Sequence, residues 1–329
     1  MPELPEVEVL VRHLAPLLLG RTVRSVCVRR EKVVAPSAAG RFARALRGAR
    51  FVGLSRRGKY LLFRLRAARR AEPLELVGHL GLTGRMYLLP ARARLPKHAA
   101  VVLGLGREKF VFEDTRYFGR LTLERNAVER LGPEPLGAEF TAESLALGLG
   151  RSTQPIKVKL LDQAVVAGVG NIYASEALFR AGVAPTLPAR RLKPAQVARL
   201  WRALREVLAE AIAGGSTVPL NFSGPGKRGG LFYFGRPPGA PDFYQERLRV
   251  YGRAGRPCPE CGTLIKRLVQ AARSTFYCPR CQRRRVIHSS RRTPGPLKRP
   301  GPWPALARPQ RNKSGVLLQN QVDADAPRL

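Results

Sequence analysis

Two stretches of this chain set reactive residue types close enough together to do chemistry. The first is the amino terminus. Pro2 follows the initiator, and a small second residue lets Met1 be removed, which leaves a secondary amine at the start of the chain. A terminal amine has a reference pKa of about 7.7–8.0, against about 10.4 for lysine. Roughly one such amine in ten is neutral at pH 7, so Pro2 can attack a sugar carbon and form a Schiff base. Glu3 stands beside it and Glu6 follows one turn later, which puts a carboxyl group in place for proton transfer. Proline and glutamate are equally ordinary first-turn helix residues, so these positions alone leave a purely structural reading open.

The second stretch is Cys258-x2-Cys261 and Cys278-x2-Cys281, two pairs that enclose 16 residues. Two tight turns at this spacing each offer two sulfurs to a tetrahedron, the pattern of a four-thiolate zinc site. Four thiolates close the coordination shell, so one structural zinc ion is expected, with no cofactor at the reacting centre. Between the pairs, strands are expected on both sides of Gln270–Ser274, with Arg273 at the hairpin tip. Arg273 reads either as a solvated turn residue or as a phosphate contact. The fifth cysteine, Cys27, falls in an alternating strand and is expected to be a small buried residue.

Helical spacing of Val7, Leu10, Val11, Leu14, Leu17 and Leu18 predicts a helix over 5–18 that stops at Gly20. Short apolar runs follow at 22–30, 50–55, 59–66, 74–80, 84–89, 99–105, 109–114 and 120–124, with a short helix near 40–47. Many strands after one helix predict a β-sandwich. LGPEPLG at 131–137 reads as a domain boundary, and helices are expected beyond it at 141–148, 156–163, 171–181 and 194–213. The Gly/Pro-rich segment 223–241 reads as a long loop, and 283–329 as a basic disordered tail. The expected fold is therefore α+β and multidomain: a β-sandwich over 1–130, a helical domain over 131–248, a zinc finger over 249–282, then the tail.

The chain carries 59 Lys and Arg against 23 Asp and Glu, a formal charge of +36. The excess persists when the tail is removed, so the folded part itself attracts polyanions, of which nucleic acid is the usual one. No apolar run approaches the roughly 18–20 residues of a spanning helix. The acidic start lacks the features of a secretory signal. These features predict a cytoplasmic protein associated with the nucleoid through DNA, with no membrane partner.

MPELPEVE, RRGKYLL (56–62), HLGLTG (79–84), DTRYFGR (114–120), LGPEPL (131–136), LLDQAVVAGVGNIYASEALF (160–179) and VYGRAGRPCPECG…STFYCPRCQ (250–282) occur in colinear order. Together they resemble bacterial formamidopyrimidine-DNA glycosylase, and Leu4 leans towards the oxidised-purine branch of that family. The resemblance implies a base-excision-repair glycosylase and abasic-site lyase acting by β,δ-elimination on double-stranded DNA. Its substrates would be oxidised purines such as 8-oxoguanine and formamidopyrimidines, and it would act as a monomer. It implies that Pro2 displaces the base, Glu3 handles protons near the sugar ring, Lys59 transfers a proton during elimination, and Arg273 grips phosphate. DNA contacts implied in the same way are His98, Lys157 near the lesion pocket, and Asn171 at a helix start whose amides bind phosphate. Without the resemblance, Asn171 is a simple N-cap. Leu82, Arg116 and Phe118 would fill the space left by the flipped base. The resemblance gives methionine where Leu82 stands and a second arginine where Tyr117 stands. Two other readings of the sequence are an oxidised-pyrimidine glycosylase of the same superfamily and a zinc-ribbon protein that binds damaged DNA without cutting it. A basic RNA- or ribosome-associated protein is allowed by the tail.

Overall fold

The first helix, α1 (Leu4–Leu18), buries Leu4, Val7, Leu10, Val11, Leu14 and Leu18 along one stripe. Each such side chain contributes about 1.5–3 kcal/mol of burial. The stripe serves two cores. Val7 to Leu18 pack into the first cluster and Leu4 into the second, which sets the chain's first residues at the junction between them. The computed structural model describes residues 2–67, 72–215 and 248–283; the 223–241 loop and the tail beyond 283 lie outside them.

Eight strands make the expected sandwich. They are β1 (Ser25–Val28), β2 (Arg50–Arg57), β3 (Tyr60–Arg66), β4 (Leu74–His79), β5 (Gly84–Pro90), β6 (Ala99–Gly104), β7 (Glu108–Asp114) and β8 (Arg120–Thr122). One sheet runs β1-β6-β7-β5 and the other β2-β3-β4-β8, antiparallel throughout. Alternate residues meet between them: Phe63 packs edge-on against Phe51 and Phe110, with ring centroids 6.1 and 5.8 Å apart. Short helices α2 (Glu31–Val34) and α3 (Ala39–Leu46) follow β1.

The run expected as one strand over 22–30 divides between the sheets. Residues 20–23 bond to 48–51, with Gly20 N–H on Phe51 O and Val23 N–H on Ala49 O, both at 2.9 Å, while Ser25–Val28 pair with β6. Cys27 is exposed, contrary to expectation, because Val26 and Val28 take the inward positions of this edge strand.

After α4 (Asn126–Glu129) the chain turns helical, with α5 (Ala142–Leu149), α6 (Ile156–Leu160), α7 (Asn171–Arg180) and α8 (Pro194–Ala213). The second core gathers Leu4, Phe140, Ile156, Tyr173, Leu200, Leu204 and Leu208. α6 stops three residues earlier than expected because Asp162 turns the chain, its Oδ1 accepting from Ala164 N–H at 3.0 Å. The last strands, β9 (Lys266–Gln270) and β10 (Arg273–Tyr277), form a hairpin around a small core of Phe179, Val250, Ile265, Cys258 and Cys278.

Candidate functional site

Glu3 opens α1 and reaches across to the start of α7. Its Oε1 accepts from Ile172 N–H at 2.9 Å and its Oε2 from Tyr173 N–H at 3.3 Å. The first amides of a helix are unpaired within it and favour a negative group. This approach needs glycine at 170, where a Cβ would lie 2.3 Å from Glu3 Cδ. Gly168 takes φ +83 and accepts from Leu4 N–H at 3.0 Å, and Gln163 braces the turn by accepting from Gly168 N–H at 2.9 Å. Glu6 completes the anchor: its Oε2 accepts from Glu3 N–H at 2.8 Å and its Oε1 from the Tyr173 hydroxyl at 2.7 Å. Pro2 and Glu3 are both buried.

Two amides of the helix start expected to face phosphate, those of Ile172 and Tyr173, are taken by Glu3. Asn171 is not an N-cap. Gly170 occupies that position and Asn171 is the first helical residue. Its side chain accepts from Lys157 Nζ and donates to Ser274 O at 3.0 Å and to the Tyr251 hydroxyl at 3.4 Å.

Lys59 sits in the two-residue turn between β2 and β3, with Gly58 before it at φ +56. It is only 7% exposed. Glu134, from the LGPEPL segment, clasps this turn. It accepts from Gly58 N–H at 2.6 Å and Arg57 at 3.1 Å, and pairs with Arg56 at 2.8 Å. Arg57 in turn donates to Leu131 O and Gly132 O. The segment read as a boundary is thus the support under Lys59.

Burial pushes the Glu3 carboxyl up, opposed by the charge of Lys59. Burial pushes the Lys59 ammonium down, helped by Arg273 and opposed by Glu3 and Glu6. The two groups are thus displaced in opposite directions, the acid towards its protonated form and the amine towards its neutral one. His79 feels the charge of the same lysine. Burial and the Lys59 charge push it down to about 4, so its Nδ1 is free to accept from Gly81 N–H at 3.1 Å while Tyr60 packs on its ring.

The four cysteine sulfurs lie within 4.8 Å of one another, with neighbouring separations of 3.4, 3.5 and 3.9 Å. Zinc–sulfur bonds of about 2.3 Å in a tetrahedron put sulfurs about 3.8 Å apart, so this set fits a structural zinc. Among the described residues it is the one such group of potential ligands. Glu176 on α7 holds the module in place, accepting from the amides of Arg249, Val250 and Tyr251 at 2.8–3.0 Å. Gln282 adds a bond to Val183 O at 2.9 Å. The hairpin tip is Ala271-Ala272, both at positive φ; Arg273, expected at the tip, is instead the exposed first residue of β10, because the tight turn is closed by its pairing with Gln270. Lys157 is fully buried and links the module to α7, donating to Asn171, to Ser274 O at 3.0 Å and to Thr275 Oγ1 at 2.8 Å. Burial lowers it to about 8, with Glu3 opposing and Arg273 assisting. Glu3, Lys59, Lys157 and Arg273 therefore share one electrostatic environment.

Leu82, Arg116 and Phe118 form a second group on two abutting loops. A Cβ on Gly81 would lie 2.7 Å from Phe118 C and Gly119 N. Buried Asp114 joins the loops: Oδ1 accepts from Thr83 Oγ1 at 2.5 Å and Arg116 N–H at 3.1 Å, and Oδ2 from Gly119 N–H at 2.7 Å. Phe118 is 52% exposed and the Arg116 guanidinium lies over its ring, 4.9 Å from the centroid. An exposed phenylalanine beside an arginine is a costly arrangement in water and is suited to insertion between bases. His98 is half-buried on a neighbouring loop and meets the Tyr117 hydroxyl at 3.2 Å. Sequence reasoning missed Asp114, Glu134, Gln163 and Glu176. All four lie in or beside the segments that carry the resemblance, and nothing in residue type marks them as clasps.

Comparison with known proteins covers the regions that carry these features. Residues 1–121 match the profile of the formamidopyrimidine-DNA glycosylase N-terminal domain, 131–221 that of the formamidopyrimidine-DNA glycosylase H2TH domain, and 255–284 that of the zinc finger found in FPG and IleRS. A formamidopyrimidine-DNA glycosylase of Thermus thermophilus is 45% identical over 290 residues, covering 86% of this chain and 98% of the relative. The solved complex of Lactococcus lactis Fpg with abasic-site DNA superposes with a TM-score of 0.75 at 30% identity, covering 86% of this chain and all of the other. The Lactococcus lactis FPG complex with Fapy-dG DNA gives 0.74 at 30% identity with the same coverage.

Proposed function

The chain belongs to the formamidopyrimidine-DNA glycosylase family, and from that premise we propose that Pro2, Glu3 and Lys59 carry out its chemistry on oxidised purines. The protein is a base-excision-repair DNA glycosylase that binds damaged DNA and carries a structural zinc site on Cys258, Cys261, Cys278 and Cys281. The observation that carries the proposal is the buried Glu3 carboxyl, fixed on the α7 amides beside Pro2 and electrostatically coupled to buried Lys59.

The neutral Pro2 nitrogen bonds to C1′ of the flipped nucleotide and the bond from C1′ to the base breaks, the base leaving with its electron pair and taking up the proton that the Pro2 nitrogen sheds. Glu3, held towards its protonated form, gives its proton to the ring oxygen as the sugar opens to an iminium. The iminium acidifies the C2′ hydrogens. Lys59, held towards its neutral form, takes one of them, and the 3′ phosphate leaves in β-elimination. Loss of the second phosphate follows in δ-elimination, with Arg273 on a phosphate oxygen. Water then hydrolyses the iminium and frees Pro2. Leu82, Arg116 and Phe118 occupy the vacated stack, His98 and Asn171 hold the backbone, and buried Lys157 holds Asn171 in place near the lesion. The organisation proposed is a catalytic domain over 1–130, a helical domain over 131–248, a zinc finger over 249–282 and a basic tail, acting as a monomer on nucleoid DNA. Among the described residues no helix is long and apolar enough to cross a membrane.

The test is single-turnover cleavage of matched duplexes carrying 8-oxoguanine or thymine glycol by protein with a verified free Pro2. Faster release of the purine is expected. Preferred release of thymine glycol would replace this reading with the pyrimidine one. Binding without cleavage of either duplex would leave a damaged-DNA-binding protein.

A further inference from the structure

Tyr117 carries a backbone conformation that bulky side chains rarely adopt, φ +54, between two residues that point outward. Its own ring turns inward and packs against the first core. The left-handed step explains the arrangement: reversing the direction of one side chain leaves Arg116 and Phe118 on the same outer side, where they stack. Something must hold Tyr117 there, and two side chains do. The Arg30 guanidinium lies over the ring, 4.9 Å from its centroid, and the hydroxyl meets His98 Nδ1 at 3.2 Å. Backbone bonds stitch the three segments together: Arg30 N–H donates to Ala100 O at 3.2 Å, and Asp114 N–H to His98 O at 3.1 Å.

The geometry points to Tyr117 as a positioning residue that couples the Arg116–Phe118 wedge to the histidine grip on the DNA backbone. This inference rests on the DNA-repair reading above. When the Tyr117 hydroxyl donates to Nδ1, the neutral imidazole must carry its proton on Nε2, and that N–H is then the donor left for a phosphate oxygen. Arg30, exposed just beyond β1, supplies a cation over the same ring whose hydroxyl meets His98. The ring thus does two jobs from one site. Its strained backbone presents the wedge, and its hydroxyl sets the tautomer of the phosphate contact.

The experiment is a double-mutant cycle, read by fluorescence anisotropy on a duplex containing a non-cleavable tetrahydrofuran abasic analogue. Tyr117→Phe keeps the ring, the packing and the Arg30 contact and removes only the hydroxyl. It is expected to weaken binding about fivefold, the worth of one hydrogen bond, and to change nothing beyond twofold in a His98→Ala background. Equal weakening in both backgrounds, or none in either, overturns the inference. Tyr117→Gly relieves the left-handed backbone and removes the ring. It is expected to slow lesion excision from duplex more than tenfold while nicking of single-stranded abasic DNA stays within threefold; parallel loss or parallel retention overturns the wedge half of the claim. Because the binding cycle uses an uncleavable duplex, it reads Tyr117 whether or not Pro2 attacks the sugar.

Discussion

The carboxylate of Glu3 rests on the amide of Ile172, 169 residues further along the chain, at 2.9 Å. One contact thus joins the reactive end of the protein to the first turn of α7. The same helix carries Glu176, which pins the zinc module. A single rigid element therefore spaces the proposed proton donor from the Arg273 hairpin.

Burial raises the Glu3 pKa. A carboxyl bound more tightly to its proton in the folded state than in the unfolded one adds stability at low pH. That stability is lost as pH rises from the ordinary carboxylate value through the raised one. Glu3→Gln is expected to melt at a higher temperature than the unsubstituted protein at pH 7, and the gap should close as pH falls towards 4.5. Thermal melts across that range check it.

Glu134 holds the turn that carries Lys59, so Glu134→Ala should loosen the base without touching DNA. We expect β-elimination to slow by about tenfold, on the order of the cost of misplacing a catalytic group, with duplex Kd changed less than twofold. Single-turnover kinetics on preformed abasic DNA, alongside anisotropy, separate the two.

Asp114 unites the Leu82 and Arg116–Phe118 loops. Asp114→Ala leaves buried amide donors unpaired, at about 1–3 kcal/mol each. Excision of 8-oxoguanine from duplex is expected to fall more than tenfold, with cleavage of single-stranded abasic DNA changed less than threefold. Parallel assays on the two substrates, with a denaturation curve for stability, check it.

Much of the fold was legible because it depends on periodicity. The apolar stripe of α1, the run 194–213 and the alternation of the sandwich strands all follow from which faces must be buried. The cysteine spacing fixed the zinc site for the same reason: its geometry is local. What stayed hidden was parity and partnership. Cys27 differs from Val26 by one position, and one position decides the face of an edge strand. Residues 131–137 look like a linker because Gly and Pro break helices, yet Glu134 within them clasps a turn 76 residues earlier. Ala271-Ala272 has none of the Asn or Gly that announces such a hairpin turn, yet both residues take the positive φ it requires. The site residues were legible only through the resemblance, since Glu3, Lys59 and Asn171 have ordinary structural readings until distant partners bring them together.

Zinc removal should act through Arg273 and Lys157. A structural zinc contributes about 10–16 kcal/mol in isolated modules. Chelation or Cys258→Ser is expected to melt the β9–β10 hairpin, strip Lys157 of its bonds to Ser274 and Thr275, and weaken duplex binding more than tenfold. The sandwich, whose core is separate, should keep its strand signal. Metal analysis should find one zinc per chain before treatment, and circular dichroism with anisotropy should follow the loss.

The central claim is tested most directly by reducing the protein with borohydride on 8-oxoguanine DNA, digesting the crosslinked product and locating the sugar by mass spectrometry. The account predicts a deoxyribose adduct on the nitrogen of Pro2, with Met1 absent. An adduct on Lys59, Lys157 or any other side chain, or full activity in protein that still carries Met1, would contradict it.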